Sequence, residues 1–207
     1  GILESSGYLA RANQALQTSA LKLFEREAAD LLKILVAKMD TRATSAIASL
    51  PVFSAFTIIL DFPEMSASEL NRAITFQARQ YIPLPLSEVA LDWIRVGEFK
   101  DDSGFKHQQI LLISVTQEQI RKYQNIFKEA GLSLGALEIE GLSLARIFGG
   151  ADPTPTIVVD IGSRSTSAVF LEDGRLKFVS QSDFAGASLT QALASSLSVN
   201  PLRAEEL

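Results

Sequence analysis

The sequence predicts an α/β fold with a stretch of α+β order inside it, and three observations support this. Apolar, β-branched runs at 156–161 and after Thr166 flank a short loop, and Asp173-Gly174 then turns the chain into a third run. Asp-Gly between two strand patterns signals a hairpin, because both central residues of that turn take positive φ. Residues 16–40 repeat apolar side chains at helical spacing. From 52 to about 140 the order reads strand, helix, strand, strand, helix, strand. Standing alone, that is the split βαβ order of ferredoxin-like modules.

Each element has its own local signal. The first helix, 16–40, aligns Ala20, Leu23, Phe24, Ala28, Leu31, Leu32, Leu35 and Met39. Ala43–Leu50 reads as a short strand that Pro51 breaks, and Ala55–Leu60 as the next. Ser66 or Ser68 caps a helix through Tyr81, with Leu70, Ile74, Phe76 and Ala78 as its apolar residues. Pro83 and Pro85 end it. Val89–Val96 alternates as a strand around Leu91, Trp93 and Ile94; Asp101–Gly104 turns, and Gln109–Val115 returns. Thr116 caps a further helix, with Gln119 at the capping-box position, and Gly131 stops it after Ala130. Leu134–Ile139 is a strand and Leu142–Phe148 a short helix ended by Gly149-Gly150. Asp152-Pro153-Thr154-Pro155 is the clearest linker.

Composition removes several function classes. With 207 residues the chain can hold one large or two small domains, and its 47% hydrophobic content supports packed cores. A net charge of −5 argues against a dedicated nucleic-acid binder, whose basic face would have to outweigh 24 acidic residues. There is no cysteine, which excludes disulfides, thiolate metal sites and cysteine nucleophiles. The single histidine, His107, lies in a polar stretch and rules out multi-histidine metal sites and histidine-based triads. The most apolar helical stretch carries Lys22, Glu25, Arg26, Glu27, Asp30, Lys33 and Lys38, so direct membrane insertion is not expected. Gly1-Ile2-Leu3 at one end and Glu205-Glu206-Leu207 at the other both read as cut ends.

The loop after Asp160 is where the chemistry concentrates. It joins strand to strand, whereas Walker and Rossmann phosphate loops open a helix. A hairpin tip of Gly162, Ser163, Ser165 and Thr166 still offers backbone N–H groups and hydroxyls that can wrap a phosphate chain. Asp160, at the carboxyl end of its strand, could hold a hydrated Mg²⁺, which takes few carboxylates and keeps several waters. Each residue also has a plain structural role open to it: strand end, turn, or helix start.

Three segments, in order, resemble the type IV pilus assembly PilM family. Gln80-Tyr81-Ile82-Pro83-Leu84-Pro85-Leu86-Ser87-Glu88-Val89, followed by Asp92, resembles that family's helix-to-strand corner. Val159-Asp160-Ile161-Gly162-Ser163 with Asp173-Gly174 resembles its second phosphate hairpin, which the whole actin-like ATPase superfamily shares. Gly186-Ala187-Ser188-Leu189-Thr190 and Ala204-Glu205-Glu206-Leu207 resemble its adenosine-side helices. The resemblance implies an incomplete actin-like ATPase fold like that of FtsA. Residues 1–51 and 133–153 would belong to the first core domain, 52–132 to an inserted subdomain, and 154–207 to the start of the second core domain. On this reading the strand at 134–139 returns to the first core domain instead of closing a ferredoxin sheet. A first phosphate hairpin, an Asp-Ile-Gly-Ser type motif, would precede the chain. Two positions depart from the family pattern: Arg164 within the loop, and Ala185-Gly186 where two glycines are common.

The implied function is a cytoplasmic scaffold at the inner face of the inner membrane. It would bind ATP and Mg²⁺ through Asp160, Gly162, Ser163, Ser165, Thr166, Gly186 and Glu205, with Asp160 meeting the metal through water. Tyr81, Pro83, Pro85 and Trp93 would line the site for the cytoplasmic tail of a PilN-like membrane protein, beside other pilus assembly partners and possible self-association. No catalytic residue is assigned, and ATP hydrolysis would be weak at most. The alternatives are an FtsA-like division protein and a small-molecule kinase of the same superfamily, the latter needing a general base against a substrate hydroxyl.

Overall fold

Alternation along the strands decides how the chain is layered. In a strand successive side chains face opposite sides. In β2 (Ala55–Pro63), β3 (Val89–Lys100) and β4 (Lys106–Thr116) both sides supply apolar residues to a core. In this computed structural model, which describes residues 25–39, 41–150 and 153–207, those strands form one sheet in the order β2-β4-β3. Strands β2 and β4 are antiparallel, in register from Ala55 opposite Val115 to Pro63 opposite His107. One face gives Leu60, Phe62, Val89, Ile110 and Leu112 to a core closed by Leu70, Ile74 and Ala78 of helix α2 (Ala67–Tyr81). The opposite face gives Val96 and Leu111 to a second core. There they meet Ile139, Ala145 of α4 (Glu140–Phe148), and Val169, Leu171 and Leu176.

The last three residues come from a second sheet, β6 (Thr156–Ile161), β7 (Thr166–Glu172) and β8 (Arg175–Ser182), antiparallel in that order. Asp173 and Gly174 take φ of 52° and 69°, as the Asp-Gly hairpin requires. The two sheets are also joined by a polar bond: Lys177 Nζ on β8 donates to Gln109 Oε1 on β4 at 2.8 Å. Among the described residues, only the inner face of the second sheet is covered. Ile157, Val159, Ile161 and Phe178 are exposed on its outer face, where Ile157 pairs across to Phe170 and Phe170 to Phe178. Helices α5 (Gly186–Leu197) and α6 (Pro201–Glu205) follow.

These elements make one compact unit, Leu50–Val115 with Ile139–Leu207. The other unit comprises the described residues of Gly1–Ser49 with Thr116–Glu138. In it β1 (Ser45–Leu50) pairs with β5 (Ser133–Ile139), while α1 (Glu25–Lys38) and α3 (Gln117–Glu129) supply Ala29, Ile126 and Phe127 to a small core. Strand β5 therefore joins β1, and the four-stranded ferredoxin closure is not made although its element order is present.

The cap and stop signals of α2 and α3 hold, with one refinement. Ser66, not Ser68, caps α2: its side chain accepts from the Glu69 N–H, and Glu69 reaches back to the Ser66 N–H. Thr116 Oγ1 accepts from the Gln119 N–H, and Gly131 (φ 78°) follows the end of α3. The predicted first helix is seen from Glu25; its expected start at 16 and Asp152 of the linker lie outside the described residues. Phe76 is a correction. It follows Ile74 by two residues, about 200° around the helix, and is 67% exposed instead of packed.

Candidate functional site

The β6–β7 hairpin is shaped by bonds of its own backbone. The Gly162 N–H donates to the Ser165 carbonyl at 2.9 Å, closing the loop. At the start of α5 the Gly186 and Ala187 N–H groups donate to the Gly162 and Ser163 carbonyls at 3.0 and 2.8 Å. Thr166 Oγ1 donates to the Phe184 carbonyl at 2.7 Å. Gly186 lies against the loop so closely that a Cβ there would stand 3.4 Å from the Gly162 oxygen. Gly162, Thr166 and Gly186 thus hold the loop against α5. The hydroxyls of Ser163 and Ser165 make no hydrogen bond to other described residues, which leaves both able to meet a ligand.

At the base of the hairpin two carboxylates meet. Asp160 pairs in register with Ser167, whose Oγ donates to Glu140 Oε2 at 3.4 Å. The Glu140 carboxyl is pushed above its ordinary pKa, first by burial and then by the charge of Asp160, and the Ser167 hydroxyl opposes the shift. Sequence reading placed Asp160 here and missed Glu140. The only signal was an acidic residue at the seam between a strand and a helix, because Glu140 opens α4 directly after β5. A divalent cation would relieve this repulsion, so the donor set fits a hydrated Mg²⁺.

The remaining predicted residues fall into two places. Glu205 lies at the exposed end of α6 and makes no hydrogen bond to the loop. Tyr81 ends α2 and is 43% exposed, and Pro83, Leu84 and Pro85 face outward while Ile82 is buried in the α2 core. Trp93 is held differently. Its ring packs on the same core and its Nε1–H donates to Asn71 Oδ1 at 2.8 Å. Trp93 is thus anchored at the first half of α2, about 15 Å along the helix from Tyr81 and the two prolines at its far end.

A sequence profile for type IV pilus assembly protein PilM matches residues 12–207. The chain belongs to the PilM family. Among solved structures it is similar to the PilM-PilN type IV pilus biogenesis complex, with 26% identity and a TM-score of 0.73 over 86% of this chain. It is also similar in fold to the cytoplasmic domain of EpsL, an inner-membrane component of the type II secretion system of Vibrio cholerae. There the identity is 12% and the TM-score 0.55 over 83% of this chain. The chain spans 54% and 63% of those two chains. The fold is that of the actin-like ATPases, as the PilM resemblance implied. No described helix is long and apolar enough to cross a membrane.

Proposed function

We propose that this chain is the ligand-clamping and partner-docking part of a nucleotide-binding scaffold in type IV pilus assembly, working at the cytoplasmic face of the inner membrane. The observation that carries the reading is the carboxylate pair Asp160–Glu140 at the base of a hydroxyl-bearing hairpin, in a chain of the PilM family. Asp160 would hold Mg²⁺ through water, and Ser163 and Ser165 would meet the phosphates of ATP. The cation would supply positive charge against the triphosphate. Gly162, Thr166 and Gly186 keep the loop closed, and Glu205 is assigned to the ribose side. The division into a first core domain (1–51 and 133–153), an inserted subdomain (52–132) and a second core domain from 154 belongs to the same reading. Partner docking is assigned to the corner: the partner in the similar complex is PilN, and a PilN-like cytoplasmic tail would pack on Tyr81, Pro83, Pro85 and Trp93. Nothing in the reading needs turnover, so the nucleotide acts as a clamp.

Calorimetry on the full-length protein tests the nucleotide half. Asp160→Asn keeps the side-chain shape and removes the charge, so Mg·ATP affinity should fall roughly tenfold, about 1.4 kcal/mol. The fall should be smaller in EDTA, because the lost contact is the one to the metal. Equal affinity of variant and wild type would refute the assignment. For the partner half, Tyr81→Ala is the sharper substitution, since the Tyr81 ring is outward and Trp93 is tied to the core. Binding of a PilN-like tail peptide should weaken by ~2 kcal/mol or more, the value of an interface anchor. An unchanged affinity would remove Tyr81 from the site.

A further inference from the structure

Phe76 has a neighbourhood of its own. The buried side of α2 is Leu70, Ile74 and Ala78, and Phe76 stands on the opposite side with 67% of its surface exposed. Arg72 is one turn before it and Arg79 nearly one turn after, so both share its face. With Asn71 and Thr75 they line a shallow depression beside the ring. Among the described residues Arg79 has no carboxylate within ion-pair distance. The carboxylate nearest in influence to Arg72 is Glu69, which the Ser66 hydroxyl and N–H already hold. The whole chain is formally −5, so this face runs against the sign of the molecule.

We propose that the outward face of α2 docks an acidic protein segment, which sets an apolar side chain against Phe76 and pairs its carboxylates with Arg72 and Arg79. Arginine and aromatic residues are the types enriched at interface centres, and charge complementarity selects an acidic occupant. A bilayer is a poorer match. An interfacial helix buries a broad apolar face in lipid, and the broad apolar face of α2 is already in the core. A second copy of this chain, itself net negative, is a competing occupant that the experiment separates. The proposal does not depend on the nucleotide or corner assignments.

Selection of a random peptide library on the immobilised full-length protein is the test. Enriched peptides should be rich in Asp and Glu around an aliphatic or aromatic residue. Their affinity should fall at least about tenfold with Phe76→Ser, and likewise with Arg72→Glu combined with Arg79→Glu. It should also weaken with added salt. Unchanged melting curves of both variants would show that the fold is intact. Four results would overturn the proposal: no enrichment, enrichment without acidic excess, equal binding by Phe76→Ser, or Phe76-dependent binding to anionic phospholipid vesicles in place of peptides. A dimer of the protein alone that Phe76→Ser dissolves would do so as well.

Discussion

The two sheets of the larger unit differ in what covers them. Both faces of β2-β4-β3 are packed: even-numbered residues of β4 such as Ile110 and Leu112 go to the α2 core, and Leu111 goes to the core under the second sheet. The β6-β7-β8 sheet is packed on one face and presents Ile157, Val159, Ile161 and Phe178 to the outside on the other. The doubly covered sheet gives apolar residues to two cores, while the half-covered sheet gives them to one and carries the hairpin whose Asp160 acts on Glu140 of α4.

Substitutions can break or sharpen that contrast. The largest effect is expected at Leu112, which is fully buried in the doubly covered sheet. Leu112→Ala should cost about 2–5 kcal/mol by transfer and cavity terms, read from chemical denaturation. A cost below about 1 kcal/mol would mean that this core is loose. Next comes the cap that fixes α2 above that sheet. Ser66→Ala removes the hydroxyl that accepts from Glu69 and should cost about 1 kcal/mol.

Glu140→Gln acts in the other direction and depends on pH. The folded state raises the carboxyl pKa, so ionising Glu140 lowers stability as pH climbs from the ordinary carboxylate range through the raised value. Below that window wild type and variant should melt together; above it the glutamine variant should melt higher. Asp160→Asn should move the Glu140 titration down, seen by side-chain carboxyl NMR, because it removes the neighbouring charge. A variant that melts lower at neutral pH would show that Glu140 gains more from Ser167 than it loses to Asp160. The smallest effect belongs to the open face. Val159→Thr is 56% exposed in its native form and should change stability by less than about 0.5 kcal/mol while raising solubility.

What the sequence made legible follows from range. Hairpins, caps and stops are local chemistry, and Asp173-Gly174, Ser66, Thr116 and Gly131 each took the role their type dictates. The loop between β6 and β7 was legible too, because its glycine and hydroxyls are adjacent in the chain. Three features were not. Phe76 was grouped with the core because an apolar count ignores angle, although its spacing from Ile74 contains the answer. Glu140 meets Asp160 only after β5, α4 and β6 have been placed, and no neighbouring residue announces a carboxylate pair. The pairing of β5 with β1 is equally remote, and only the family resemblance pointed to it.

The bonds from Gly186, Ala187 and Thr166 have a mechanical consequence. They run from both sides of the loop to the chain around the start of α5, so loop and first helical turn are one lever. A pull on Ser163 tugs the Ala187 amide, and α5 must tilt or its opening bonds must break. The loop and the first turn of α5 therefore resist displacement together, each braced by the other's backbone.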